Sequence, residues 1–194
     1  MPTPRHQTRA AIHARSEILA ALKDDHKRVK KAFRDFKKLD VNEDPARAEA
    51  LVQQVLDELT VHAALEEELL YPAAREALDD EQLLDEAEVE HESMHGFIDQ
   101  LRGMTPVEDK YAARFTVLCE YVLHHVKEEE GEMFPRLEEA RLEWEDLAAQ
   151  MDERRAELTG SSAEEGDEAE AAEAAPAPGP RGRADAAPAR TRAS

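Results

Sequence analysis

Residues 62–72 read HAALEEELLYP, and residues 125–135 read HVKEEEGEMFP. Laid His on His, they align Glu66 with Glu129, Glu67 with Glu130, Tyr71 with Phe134 and Pro72 with Pro135. In each stretch a glutamate follows the histidine by four residues, which puts both side chains on one face of a helix. Upstream, Asp25-His26 with Phe33 aligns with Glu90-His91 and Ile98, the apolar residue falling seven after the His in both copies. The copies are offset by 65 residues at the first His and 63 at the second, so the chain reads as two helical hairpins, each supplying a His and a His-x-x-x-Glu.

Outward from the repeat, apolar residues recur at three- and four-residue intervals, and no strand pattern interrupts them up to residue 159. Ile18, Leu22, Val29, Phe33 and Phe36 stripe a first helix. Asp44-Pro45 opens a second as N-cap and first helical residue, with Leu51, Val55, Leu59 and Leu69 inward and Pro72 near its end. Asp80 caps a third carrying Leu84, Ala87, Met94, Ile98 and Leu101, which ends at Arg102-Gly103. Thr105-Pro106 repeats the cap-and-proline opening for a fourth with Tyr111, Leu118 and Val122, and Pro135 closes or kinks it. Leu137, Ala140, Trp144, Leu147, Met151 and Leu158 fit a fifth. Short connections predict an all-α, up-down-up-down four-helix bundle over 16–136, after an N-terminal arm at 1–15. An additional helix at 137–159 packs outside it or pairs with a second copy as a homodimer. From Gly160 to residue 194 the composition turns to Glu, Ala, Pro, Gly and Arg, which predicts a disordered low-complexity tail.

Composition narrows the function. The chain has 194 residues, formal net charge −20, eight His and one Cys. One cysteine excludes an internal disulfide and any four-thiolate zinc or iron–sulfur site. So negative a chain is expected not to bind nucleic acid. No apolar run reaches the ~20 residues of a membrane span and the first residues lack a signal-peptide pattern, so a cytoplasmic location without membrane association is expected. The charge is uneven: residues 1–38 carry eleven Lys/Arg against four acids, so the first helix should lie against acidic neighbours.

The histidines fall inside the apolar stripes. His26 sits between Leu22 and Val29, His62 and Glu66 between Leu59 and Leu69, His91 between Ala87 and Met94, and His125 and Glu129 follow Val122. A buried carboxylate without a partner costs several kcal/mol. The inward positions of the second to fourth helices offer imidazole rather than Lys or Arg, a donor set suited to a metal. Nitrogen and oxygen donors without thiolate favour iron over manganese or zinc.

The segments LKDDHKRVKKAF, HAALEEELLYP, EHESMH and HHVKEEEGEMFP together resemble the hemerythrin-like family, in particular bacterial HHE cation-binding domains, over about residues 16–136. The resemblance implies a non-haem di-iron centre, with His26 and His62 on one iron, His91, His95 and His125 on the other, and Glu66 and Glu129 as bridges. It also implies an open position for O2, peroxide or nitric oxide. Catalase-like or peroxidase-like turnover, or an iron-responsive interaction module, are the alternatives to binding alone. His124 with Glu129 meets the five-residue spacing of the family's oxygen carriers, whereas the repeat and the Leu118/Val122 stripe favour His125, His124 lying ~100° away. His95 aligns with Lys30 in the first hairpin, so the repeat by itself does not require it. Glu67, Glu68, Glu128 and Glu130 fit solvated groups or partners that orient imidazole N–H groups. Tyr71, Tyr111 and Tyr121 fit packing positions, with a redox-active or gating phenol as the other reading. His6 and His13 fall in the arm, with no metal role expected.

Overall fold

The computed structural model describes the backbone of residues 7–173 and the side chains of residues 7–160. The described backbone is helical and contains no strand: α1 (Arg9–Phe36), α2 (Pro45–Leu65), α3 (Tyr71–Ala77), α4 (Glu81–Arg102), α5 (Tyr111–Glu128), α6 (Phe134–Glu139) and α7 (Trp144–Glu173). Single π-helical turns, Glu66–Leu70 and Glu129–Met133, join α2 to α3 and α5 to α6. Four rods result, and α1 contacts α2, α2 contacts α4, α4 contacts α5, and α5 contacts α1, closing the four-helix bundle.

The caps follow from side-chain chemistry. Asp44 accepts the Arg47 N–H at 3.2 Å with Pro45 just inside α2, and Asp80 accepts that of Leu83 at 3.2 Å. Thr8 caps α1 by accepting from Ala11 at 2.9 Å, so the helix starts within the segment expected to be an arm. The Gln7 amide donates to the Ala140 carbonyl at 2.8 Å and Thr8 to Glu145, which ties this start to the chain between α6 and α7 and to the first turn of α7.

Several boundaries differ from the sequence expectation. Thr105-Pro106 opens a turn rather than a helix, because Glu108 takes both the Thr105 N–H and its hydroxyl. The fourth rod begins at Tyr111, after Lys110 in the left-handed region (φ 73°). Pro72 and Pro135 end neither rod: each follows a π turn in which the Tyr71 or Phe134 N–H reaches back five residues, to Glu66 or Glu129. That wider turn relieves the clash a prolyl ring makes with the preceding helical carbonyls. The fifth helix starts at Trp144, not at 137, since Ala140 is extended (ψ 161°) and its carbonyl and that of Glu138 are taken by Gln7 and Arg15. Residues 160–173 are described as helical backbone where composition predicts disorder, Ala and Glu being strong helix formers. The remainder of the expected tail, 174–194, lies outside the described residues, as does His6.

Two apolar clusters fill the bundle. One packs Phe33, Phe36, Val52, Leu56, Ile98, Leu101, Phe115 and Leu118, with the Phe36 and Phe115 ring centroids 4.5 Å apart. The other packs Ile18, Leu22, Leu65, Leu70, Leu84, Phe134 and Leu137, and α7 adds Trp144, Leu147 and Met151 to it. Their aromatic and aliphatic burial is the main driving force for the fold. Between the clusters lies a buried layer of a different kind: Asp25, His26, His62, Glu66, His91, His125 and Glu129.

Candidate metal centre

Each rod of the bundle supplies one imidazole to this layer. α1 brings His26, α2 His62, α4 His91 and α5 His125, and the glutamates follow one turn later, where each π segment begins. His26 Nε2 lies 3.1 Å from His62 Nε2, and His91 Nε2 3.0 Å from His125 Nε2. The carboxylates lie across both pairs. Glu66 Oε2 is 3.1 Å from His62 Nε2 and 3.6 Å from His91 Nε2; Glu129 Oε2 is 3.3 Å from His26 Nε2 and 3.5 Å from His125 Nε2. Two groups with metal-binding spacing result, His26/His62/Glu66/Glu129 and His91/His125/Glu66.

The outward nitrogens decide the chemistry of the inward ones. All four Nδ1 atoms face carboxylates: His26 meets Glu130 at 2.9 Å, His62 Asp25 at 3.2 Å, His91 Glu67 at 2.7 Å and His125 Glu90 at 2.8 Å. An ionised carboxylate only accepts, so each Nδ1 carries the proton and donates it. In the neutral ring Nε2 is then a bare lone pair. Lone pairs facing each other at about 3 Å repel unless a cation lies between them. Consistently, both Glu66 oxygens and Glu129 Oε2 are buried without a hydrogen-bond partner. These orphaned anions and paired lone pairs fit metal ions. With no metal, protons must do the work: burial would lower the His62 pKa, but Glu66 and Asp25 outweigh it and hold the ring up at about 10. Burial likewise opposes ionisation of Glu129, and His125 and His26 overcome it, holding that carboxyl far below its usual range.

The outer carboxylates follow the repeat. Within each hairpin the residue before the first His serves the second (Asp25 to His62, Glu90 to His125). Across the hairpins, the residue after the buried glutamate serves the other hairpin's His (Glu67 to His91, Glu130 to His26). The alignment of Asp25-His26 with Glu90-His91 was the available signal for the first pair.

Six of the seven expected ligand residues, His26, His62, Glu66, His91, His125 and Glu129, come together in this layer. His95 does not: it is 42% exposed and its Nε2 is bound at 2.8 Å to the same Glu67 oxygen that accepts from His91. His125 is buried, whereas His124 points outward between Glu90 and Glu128 at 3.3 and 3.2 Å. His13 is exposed beside Glu17.

Tyr71 belongs to this layer as well. Its hydroxyl donates to Glu129 Oε1 at 3.0 Å and lies 3.2 Å from His91 Nε2 and 3.5 Å from His125 Nε2. Its counterpart Phe134 instead stacks on His26, with centroids 5.9 Å apart and planes within 5°. Burial, with Glu129 and Glu66 nearby, pushes the phenol pKa well above its ordinary value. The two halves of the site are therefore not equivalent. Tyr71→Phe, which makes them alike, should leave Glu129 Oε1 without its donor and lower the stability of the metal-free chain by about 1–3 kcal/mol. Urea unfolding of the two forms checks this; unchanged midpoints would contradict it.

A cavity of about 20 Å³, which neither glutamate lines, touches the four buried imidazoles and also His95 and Asp25, and is otherwise walled mainly by Val29, Leu59, Met94, Val122 and Val126. It has room for one water-sized molecule.

A family model for the hemerythrin HHE cation-binding domain matches residues 17–137. The chain belongs to the hemerythrin HHE cation-binding domain family. Its structure is similar to the crystal structure of an HHE cation-binding domain-containing protein from Mycobacterium kansasii, with a TM-score of 0.60, 26% identity, and coverage of 72% of this chain and 85% of that one. In sequence it is 28% identical over 120 residues, 60% of this chain, to a protein from Nostoc sp. strain PCC 7120 named DNA nickase. The match spans about a third (32%) of that relative's length. The HHE domain thus ends near α6, and α7 lies beyond the matched residues. No helix among the described residues is long and apolar enough to cross a membrane.

Proposed function

We propose that this HHE domain holds two iron ions, one between His26 and His62 and one between His91 and His125, bridged by Glu66 and Glu129. On that basis it is a non-haem di-iron protein that handles O2 or reactive oxygen and nitrogen species. The observation that carries the reading is the convergence of four Nε2 atoms with two buried carboxylates, three of whose oxygens lack a hydrogen-bond partner, beside a one-molecule apolar cavity. Bound iron would supply reversible ligand binding and electron transfer to a small molecule in that cavity. The chain's own groups do the rest. Asp25, Glu67, Glu90 and Glu130 hold each imidazole in the ligating tautomer, and the apolar wall excludes bulk water.

Turnover of peroxide is the second reading, favoured by the buried Tyr71 hydroxyl beside the His91/His125 pair. That hydroxyl donates to Glu129, so in this reading the phenol acts by holding that carboxylate beside the His91/His125 pair. Nicking of DNA, named for the Nostoc relative, is not part of the proposal, because a net charge of −20 opposes a phosphate backbone.

Exposure of the iron-loaded, anaerobic chain to O2 should produce a charge-transfer absorption that reverses on removal of O2. Peroxide with measured O2 release separates the readings. Release above that of free iron establishes turnover, and stoichiometric oxidation alone leaves a binding protein. An absorption indifferent to O2, peroxide and nitric oxide would remove both.

A further inference from the structure

Helix α7 lies outside the matched HHE residues, yet its side chains reach the metal layer. Trp144, Leu147 and Met151 anchor it in the apolar cluster beneath the site. Two adjacent arginines then diverge. Arg154 grips the Glu68 carboxylate through Nε at 2.7 Å and Nη2 at 3.0 Å, at the surface. Arg155 turns inward and places Nη2 2.8 Å from Asp25 Oδ2 and Nη1 3.5 Å from Oδ1. Asp25 is only 5% exposed, and the same Oδ2 accepts the Nδ1–H of His62. Arg28 of α1 meets the other oxygen. Glu90, the counterpart of Asp25 in the second hairpin, is met by His124 rather than by an arginine. One of the four imidazoles is therefore tied, through a single carboxylate oxygen, to a helix outside the domain.

We propose that Arg155 is a positioning residue for the His26/His62 half of the metal site, acting through Asp25, so that occupancy of that half depends on the docking of α7. The inference rests on the di-iron reading above. With Arg155 in place, Asp25 is held on both oxygens and Oδ2 faces His62, which keeps the proton on Nδ1 and the lone pair on Nε2. Without it, Arg28 alone orients the carboxylate through Oδ1, and the His62 ring is free to turn or to move its proton to Nε2. A ring protonated there is no ligand. Partners of this kind are worth roughly 10- to 100-fold in metal affinity. The coupling is reciprocal, so metal in this half strengthens the docking of α7.

The test is anaerobic titration of the full chain with ferrous iron against a competing chelator, with the melting temperature of the metal-free form read in parallel. The wild type should take up two equivalents. Arg155→Gln should keep one tight equivalent and bind the second about 10- to 100-fold more weakly, while Arg154→Gln, which removes the neighbouring surface ion pair with Glu68 and leaves Arg155 on Asp25, should behave as wild type. Asp25→Asn removes the shared acceptor charge while Arg155 itself is kept; it should lose the same equivalent as Arg155→Gln. Two unweakened equivalents in Arg155→Gln, or equal loss in Arg154→Gln, would overturn the role of Arg155 and leave the di-iron reading standing. A wild type that binds no iron would overturn both.

Discussion

Glu66→Leu is expected to reduce bound metal from two ions per chain to one or none, and at the same time to lower the pKa of His62 in the metal-free protein from about 10. Glu66 is fully buried beside His62, and in the metal-free protein its charge helps to keep that imidazole protonated. Removing one member of a buried pair leaves the other charge uncompensated, and the imidazole responds by giving up its proton. In the loaded protein the same side chain lies across both imidazole pairs, 3.1 Å from His62 and 3.6 Å from His91, and leucine offers no donor there. Both effects come from a carboxylate that faces the Nε2 atoms, and a glutamate needed only for packing would produce neither. Metal analysis of the loaded chain and NMR titration of His62 in the chelated protein give the two readouts. Retention of two ions, or an unchanged His62 titration, would contradict the assignment of Glu66.

The second large effect is on thermal stability. Metal that binds only the folded chain adds RT ln(1 + [L]/Kd), about 4 kcal/mol for each site at a thousandfold excess over Kd. For a chain of 150–250 residues each kcal/mol moves Tm by about 2–4 °C, so removing even one ion should lower Tm by about 8–16 °C. The layer that would loosen first is the one between the two apolar clusters, where four imidazoles and two carboxylates face one another. Calorimetry of the iron-loaded chain, before and after chelation, measures the shift. Superimposable transitions would mean that the layer is stable without a cation.

Much of this was legible in the sequence, for a physical reason. A helix repeats on a 3.6-residue period, so a His or Glu replacing an apolar residue in a stripe must enter the core, and His26, His62, Glu66, His91, His125 and Glu129 all do. The repeat also supplied the partners of the outer nitrogens, Asp25 with Glu90 and Glu67 with Glu130. Tyr71 was less legible. At 100° per residue an α-helix turns it about 140° away from Glu66, and only the π turn brings both to one site. A π turn has no clear composition, although a proline right after the aromatic in both copies marks where one is useful. His95 lies at the rim: its spacing suits the inner edge of α4, and there it lines the cavity with its Nε2 on Glu67. Thr105-Pro106 carries cap chemistry that serves a turn, because an acceptor at Glu108 lies within reach. The break before Trp144 is hidden because Leu137 and Trp144, seven residues apart, keep helical spacing across it, and both are buried.

The central claim is that the buried His/Glu layer is a two-metal centre, and iron content per chain tests it most directly. The chain, loaded anaerobically with ferrous iron and freed of unbound metal, should contain two irons, and the combined substitution of Glu66 and Glu129 by leucine should contain none. A wild type that emerges with no iron, or an equal iron content in the doubly substituted chain, would contradict it.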